Sequence, residues 1–324
     1  MRKARLLTAA LALAGCSLTA AAQLPSQHTL WPQRTIAVNP AASANATTLE
    51  GILGYRGQWR GIEGAPTTLT AAAVVPVSYV RGGVGLSFEE DRLGLTAASL
   101  ARVSLAWRPL VRRDWAVSIG AAASWRNIRL DGSAVRTPGG TYADGQLPIH
   151  AEPGLPTGSV ASTSLGVDLG AEAVWREVRL GIAVLNANEP VTEWSGVGLV
   201  APRTYTAYAA GRFPVAEAID LEAGVIAAAA AGSLQAQANL TAWYAGNIGV
   251  GAAFRGRDAA TVESASLVLA WRPGTSVTFG YAFDFGLSEL RGAHDGSHEV
   301  GLRYVFPRPI GEGRLPPVIY NPRP

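Results

Sequence analysis

The sequence predicts an all-β protein, a transmembrane antiparallel β-barrel of about fourteen strands. Three observations carry that expectation. Charged residues make up only 16% of the chain, against about 25% in soluble domains. Beyond the N-terminus no apolar run approaches the ~20 residues that a membrane helix needs. What the chain has instead is a series of segments of about ten residues in which apolar and polar positions alternate, separated by turn residues, the pattern of a membrane-spanning barrel.

The first residues carry Arg2, Lys3 and Arg5, then the apolar stretch Leu6 to Ala14, then Ala20-Ala21-Ala22 before Gln23. This is the layout of a secretory signal, residues 1–22, cleaved after Ala22. Leu13-Ala14-Gly15-Cys16 also matches a lipobox, in which Cys16 would be kept and lipidated. Cleavage after Ala22 is favoured, since so short a pattern recurs by chance in an Ala/Leu-rich stretch. It would leave a mature chain without cysteine and so without disulfides. Residues 23–47 precede the first strand. They form a periplasmic or plug segment long enough to occupy a lumen.

The barrel is expected over residues 48–306, with strands near 48–57, 67–76, 82–89, 94–108, 114–130, 160–175, 177–186, 203–213, 218–230, 233–244, 247–256, 261–272, 276–285 and 297–306. In the segment near 276–285, Val277, Phe279, Tyr281, Phe283 and Phe285 alternate with Thr278, Gly280, Ala282 and Asp284. Successive strand side chains point to opposite faces, so one face is aromatic and the other small and polar. Leu234, Ala236, Ala238, Leu240 and Ala242 alternate in the same way with Gln235, Gln237, Asn239 and Thr241. A helix would need a repeat near 3.6, which these segments lack. A soluble sandwich would also alternate, but the strands here are many, long and joined by short turns. The same parity sends Asp168, Glu172, Asp220, Glu222, Asp284 and Arg303 into the lumen, because a charge facing lipid at mid-membrane costs roughly 2–4 kcal/mol. Trp107, Trp115, Trp125, Trp175, Trp243 and Trp271 fall near strand ends, where amphipathic rings suit the membrane interface.

The connections are uneven. Asp131 to Gly158 and Asn188 to Pro202 are long and rich in Gly and Pro, which marks them as extracellular loops. Residues 307–324 are proline-rich, cannot continue a sheet, and are expected as a periplasmic tail.

Chemistry is hard to place on this chain. None of His28, His150, His294 and His298 has metal-ligand spacing. Asp295, Ser297 and His298 are close in sequence, but at a turn entering a strand such residues are the ordinary furniture of a rim. There is no phosphate-binding loop or nucleophile elbow, and no basic stripe for nucleic acid. The expectation is no enzyme and no cofactor.

Several ordered pieces resemble a known family. Val38-Asn39-Pro40-Ala41 is followed by Tyr55-Arg56-Gly57-Gln58-Trp59-Arg60-Gly61-Ile62-Glu63-Gly64-Ala65-Pro66. Gly83-Val84-Gly85-Leu86-Ser87 then leads into Glu90-Asp91-Arg92-Leu93-Gly94. Gly280-Tyr281-Ala282-Phe283-Asp284 and Gly296-Ser297-His298-Glu299 stand near the end. Together these resemble the PorP/SprF family of outer-membrane proteins associated with type IX secretion and gliding motility. The resemblance implies a location in the outer membrane after signal cleavage. Its partners would be outer-membrane lipid, components of the type IX system and secreted surface proteins such as large adhesins. It also marks Asn39, Pro40, Arg56, Gln58, Trp59, Gly64, Pro66, Asp91, Gly94, Asp284, Gly296, Ser297, His298 and Glu299 as positions that set barrel geometry or touch partners. Arg56 and Gln58 are expected to face the lumen, where they could hold the N-terminal segment by hydrogen bonds. The chain departs from the family in its last residues, Tyr320-Asn321-Pro322-Arg323-Pro324, and in the unmatched middle from about Asp131 to Pro202. The alternatives are a porin or hydrophobic-solute transporter, which would need an open lumen, and an outer-membrane enzyme.

Overall fold

Alternation of apolar and polar side chains every second residue forces extended backbone, and extended backbone in lipid must pair on both edges. The chain meets that demand by closing on itself. In a computed structural model, which describes residues 26–142, 149–150, 155–194, 197–258 and 261–307, fourteen antiparallel strands form a closed barrel. The strands are β1 Glu50–Gly57, β2 Thr67–Val77, β3 Gly82–Leu93, β4 Thr96–Val111, β5 Trp115–Asp131, β6 Ser159–Trp175 and β7 Val178–Leu185, then β10 Thr204–Ala216, β11 Ile219–Ala230, β12 Ser233–Tyr244, β13 Ile248–Arg257, β14 Thr261–Trp271, β15 Val277–Gly286 and β16 Ser297–Val305. Each pairs with its neighbours in order, and β1 closes on β16 with Glu50 opposite Val305 and Gly57 opposite His298. The expected signal sequence, Cys16 and residues 308–324 lie outside the described residues.

The outward parity is apolar except toward the extracellular end, where Glu90, Arg92, Arg129 and His298 share it. Leu53, Leu69, Leu105, Leu165, Ile182 and Phe254 are all exposed, a surface that water would not tolerate over so large an area but lipid does. Trp107, Trp115, Trp175 and Trp271 are exposed near one end and form part of an interfacial girdle. Trp125 is exposed further along β5. Trp243 corrects the expectation. It shares the parity of Thr241 and Asn239, points inward, is buried, and donates its indole N–H to Glu222 at 3.0 Å. Arg212 and Arg272 stack on its ring at 4.8 and 4.5 Å. Its neighbour Tyr244 takes the lipid-facing place, exposed.

The two barrel ends differ. At the end holding Glu50 and Val305, strands are joined by tight turns such as that between Trp175 and Val178. The opposite end carries the long connections, and so is extracellular by the usual asymmetry. Short connections occur there too: Ala231 and Gly232 both have positive φ, at 50° and 80°, as a two-residue hairpin loop requires. One expected loop holds structure. Within 188–202, Val191–Trp194 (β8) and Val197–Val200 (β9) form a separate hairpin. Thr192 is buried and its hydroxyl meets that of Ser164 on the inner side of β6 at 2.8 Å, so the hairpin folds inward over the mouth. No helix among the described residues is long and apolar enough to cross a membrane.

Candidate functional site: a plugged lumen

The barrel interior is filled by the segment that precedes β1. Residues 29–44 include Thr29, Leu30, Trp31, Ile36, Asn39, Ala41 and Ser43, all buried. The segment is a chain of short 3₁₀ turns, Trp31–Gln33, Thr35–Ala37 and Pro40–Asn45. Such turns satisfy few of their own backbone groups, so the wall must supply the remaining partners.

Thr29 is the centre of that supply, and it is wholly enclosed. Its amide donates to Glu299 at 2.7 Å and its hydroxyl to Asp284 at 2.8 Å. Arg255 donates to the same hydroxyl at 2.8 Å. Its carbonyl accepts from Asn239 at 2.8 Å and from Gln237 at 3.2 Å. Around this residue the wall carries interlocked charges. Arg56 reaches Asp284 at 2.5 Å and Glu299 at 3.0 Å. Arg34, from the plug, approaches Glu299 at 3.3 Å and donates to Thr70 at 2.5 Å. Arg255 lies 3.5 Å from Asp284. Each buried carboxylate therefore answers two guanidiniums, which makes burial of these charges tolerable. His28 sits between Glu89 and Glu299, at 3.5 and 3.7 Å. Burial, with the Arg34 charge adding to it, pushes its imidazole below the ordinary range. Burial likewise lowers Arg34, against the pull of Glu299.

A second anchor lies nearer the tight-turn end. Asn39 caps the Pro40–Asn45 turn by accepting from the Ala41 amide at 2.9 Å. Its side-chain amide donates to the Ala171 carbonyl at 2.9 Å. Glycines on the inward parity of the wall make room for this turn: a Cβ on Gly83 would stand 1.9 Å from the Ser43 carbonyl oxygen, and one on Gly120 2.5 Å from the Ala41 nitrogen. Arg108 donates to the Ala44 carbonyl at 2.6 Å, and Arg179 holds Thr35 at 3.1 Å while paired with Glu172 at 2.6 Å. Trp31 packs on Tyr208 with ring centroids 5.7 Å apart.

The positions marked from the sequence fall into three groups. Arg56, Asp284 and Glu299 come together in the lumen, and Asn39 and Pro40 sit in the plug. Arg56 donates toward the Thr29 hydroxyl at 3.5 Å, so it does bond the N-terminal segment. A second set ties the extracellular rim. Trp59 donates its amide to the Ser297 hydroxyl at 3.1 Å, and Arg60 donates to the Gly296 carbonyl at 2.8 Å. Gln58, expected to hold the N-terminal segment, instead lies just past β1 and donates its backbone N–H to the Pro66 carbonyl at 2.9 Å, and Gly94 donates to the Gly64 carbonyl at 2.8 Å. Asp91 accepts from Thr68 at 2.7 Å. His298 stands apart, facing lipid, with its ring nitrogen 2.8 Å from the Tyr281 hydroxyl. Ser297 and His298 thus point to opposite faces of β16, and no triad with Asp295 is assembled. Asp168, Glu172, Asp220, Glu222, Asp284 and Arg303 all take the inward parity and are paired or hydrogen-bonded there. Thr29, Arg34 and Arg255 are not among the positions the family resemblance points to. Arg255 had a signal in its alternation with the outward Val250 and Phe254; Thr29 and Arg34 lie in a segment with no period to read.

Above the plug, toward the extracellular end, is a cavity of about 320 Å³ whose lining includes Trp31, Glu89, Arg102, Arg126, Leu199 and Ile226. No group of three or more ligating side chains suited to a metal occurs among the described residues.

The model of the type IX secretion system membrane protein PorP/SprF family matches residues 20–304. No curated protein matches the sequence. Among solved structures, the chain is similar to the toluene transporter TbuX of Ralstonia pickettii (14% identity, 84% of this chain and 93% of that one, TM-score 0.49). It is also similar to the CymD monoaromatic hydrocarbon channel (12% identity, 85% and 93%, TM-score 0.49) and to a FadL homologue of Pseudomonas aeruginosa (12% identity, 83% and 93%, TM-score 0.46). With its closed barrel, apolar outer belt and interfacial girdle, the protein is an outer-membrane protein.

Proposed function

We propose, on the premise that this chain belongs to the PorP/SprF family of type IX secretion system membrane proteins, that it is a non-catalytic accessory of that system which binds and presents secreted surface proteins at its extracellular end. The observation that carries this is the filled lumen. A barrel whose interior is occupied by its own N-terminal segment, locked through Thr29 to Glu299, Asp284, Arg255 and Asn239, is built as a rigid platform. Binding residues concentrate on loops held by such a scaffold, and the long loops here lie at one end. They carry little charge, so a contact through them is apolar and hydrogen-bonded and gains little from electrostatic steering.

The test is deletion of the gene followed by surface labelling of whole cells. The expected result is loss of one or a few large proteins from the surface with the outer membrane intact. Unchanged display, in a strain without a redundant paralogue, overturns the reading. A solute channel is the rival, and it requires a path through the lumen. Steady, ohmic steps from purified protein in planar bilayers would put it first.

A further inference from the structure

Every backbone group of a strand in the membrane is paired, but the barrel wall here has unequal height. Strand β6 runs over Ser159–Trp175, whereas its neighbour β7 covers only Val178–Leu185. The β6–β7 ladder extends from Trp175 to Leu169 and stops. On the other side β6 remains paired with β5 all the way to Ser159. Just above the last β6–β7 pair, Ala187 donates to the Val167 carbonyl at 2.7 Å. The Asn188 side chain then takes the place of a strand, accepting from the Val167 amide at 2.9 Å and donating to the Leu165 carbonyl at 2.9 Å. This also fixes which residues face the gap. The odd-numbered ones point their N–H and C=O toward it and the even-numbered ones toward β5. Beyond Asn188 the edge-facing backbone groups of Ser159, Ala161 and Thr163, with the Leu165 amide, have no hydrogen-bond partner among the described residues. All four residues are exposed, Leu165 at 71%. Among the described residues the β8–β9 hairpin makes no backbone hydrogen bond to them, and its Thr192 packs on the inner side at Ser164.

We propose that this edge, residues 159–165 of β6, unpaired among the described residues, is a docking site for an extended segment of a secreted polypeptide, which adds to the barrel wall as a further strand. The proposal rests on the accessory reading above and gives it a place and a mode. The edge is seven residues long, about 23 Å of strand, and lies at the extracellular end. Strand addition draws affinity from main-chain bonds, with alternate side chains giving specificity. Its outward positions, Ala161, Thr163 and Leu165, are small or apolar, and its inward positions, Ser162 and Ser164, are polar. The fitting segment therefore alternates apolar and small polar residues. An unguarded edge is normally blunted by charge, proline or a bulge, and 159–165 contains neither charge nor proline. A second copy of this chain is a poorer occupant. Two barrels in one membrane run their β6 strands in the same direction, and a parallel ladder lacks the two-fold symmetry of an isologous contact.

The test uses the full chain in its own outer membrane. The double variant Ala161→Pro/Thr163→Pro removes two edge donors without touching the β5 ladder. Thr163→Val changes the side chain and keeps the donor. In parallel, a photo-reactive phenylalanine derivative is placed at 161, at 163 and, as a lipid-facing control, at 207. Assembly is followed by the change in gel migration on heating. The expected result is normal assembly of all variants, a tenfold or greater loss of surface display in the proline double variant, and near wild-type display in Thr163→Val. Cross-links from 161 and 163, and not from 207, should map to residues two apart in one secreted chain. If the deletion strain loses display but the proline variant keeps it and cross-links are absent, the edge proposal falls and the accessory reading stands. If the deletion strain keeps display, the accessory reading falls. The cross-links then decide the edge alone, two-apart mapping supporting it and absence overturning it. Cross-links between two copies of this chain overturn it in either case.

Discussion

Glu299 is the acceptor on which the plug hangs. It receives the Thr29 amide and the Arg56 and Arg34 guanidiniums, all in a space closed to water. Removing one member of a buried ionic network leaves its partners uncompensated and costs about 3–5 kcal/mol. Glu299→Ala should therefore release the plug while the ladders stay intact. The expected outcome is conductance steps in planar bilayers where the wild type gives few, with heat-dependent gel migration unchanged. Arg56→Lys should show the same defect, weaker than Arg56→Ala, because an ammonium cannot hold Asp284 and Glu299 at once with the geometry of a guanidinium. The inward placement of Arg56, Asp284 and Glu299 was legible, since each alternates with lipid-facing neighbours such as Tyr55, Phe283 and Val300. Their convergence on Thr29 was not. Thr29 meets Glu299 across 270 positions of sequence, and a single threonine outside any periodic segment gives no sign of such a role.

Among elements, the strands were readable nearly to their ends because one side must meet lipid and the other a packed interior. What was not readable was how the Asn188 side chain takes over the edge of β6 beyond β7, and how β8 and β9 form inside an apparent loop. Both depend on contacts, Asn188 with Val167 and Thr192 with Ser164, that have no local pattern. Trp243 failed for a related reason: strand-end position suggested an interfacial ring, but its parity and its bond to Glu222 decide for the lumen. The turn Pro40–Asn45 offers a clean test at this scale. It rests against wall positions that have no side chain. Gly120→Leu would drive atoms into Ala41, whose nitrogen lies 2.5 Å from the place of a first Cβ. Overpacking of this kind costs about 1–3 kcal/mol or more, and the movable partner is the plug. Protease sensitivity of residues near 40–47 in purified protein should rise, while the β-type circular dichroism spectrum stays as in the wild type.

For the whole molecule, the purified protein in detergent should show a β-type spectrum, migrate differently before and after boiling, and conduct little in bilayers. Deleting residues 26–46 should leave the first two properties and abolish the third, giving large steady openings. If that deletion conducts no better than the wild type, the lumen is closed by something other than the N-terminal segment. The same deletion separates the two functional readings. An accessory that acts through its rim keeps cargo display without its plug, provided the barrel still assembles.

The link from Thr29 to Glu299 also constrains how the molecule can be made. The segment around Thr29 is synthesised ahead of every strand, yet its acceptors on β15 and β16 come last. Contacts this far apart in sequence are slow to form, so Thr29 gains its full set of partners only once the last two strands are in place. The closure of β16 on β1 is also the step that brings Glu299 beside Arg56. Sealing the cylinder and locking Thr29 inside it are thus coupled. A chain lacking its final strand would leave Thr29 and Arg56 without Glu299, so an unfinished copy would hold its leading segment less firmly than a finished one.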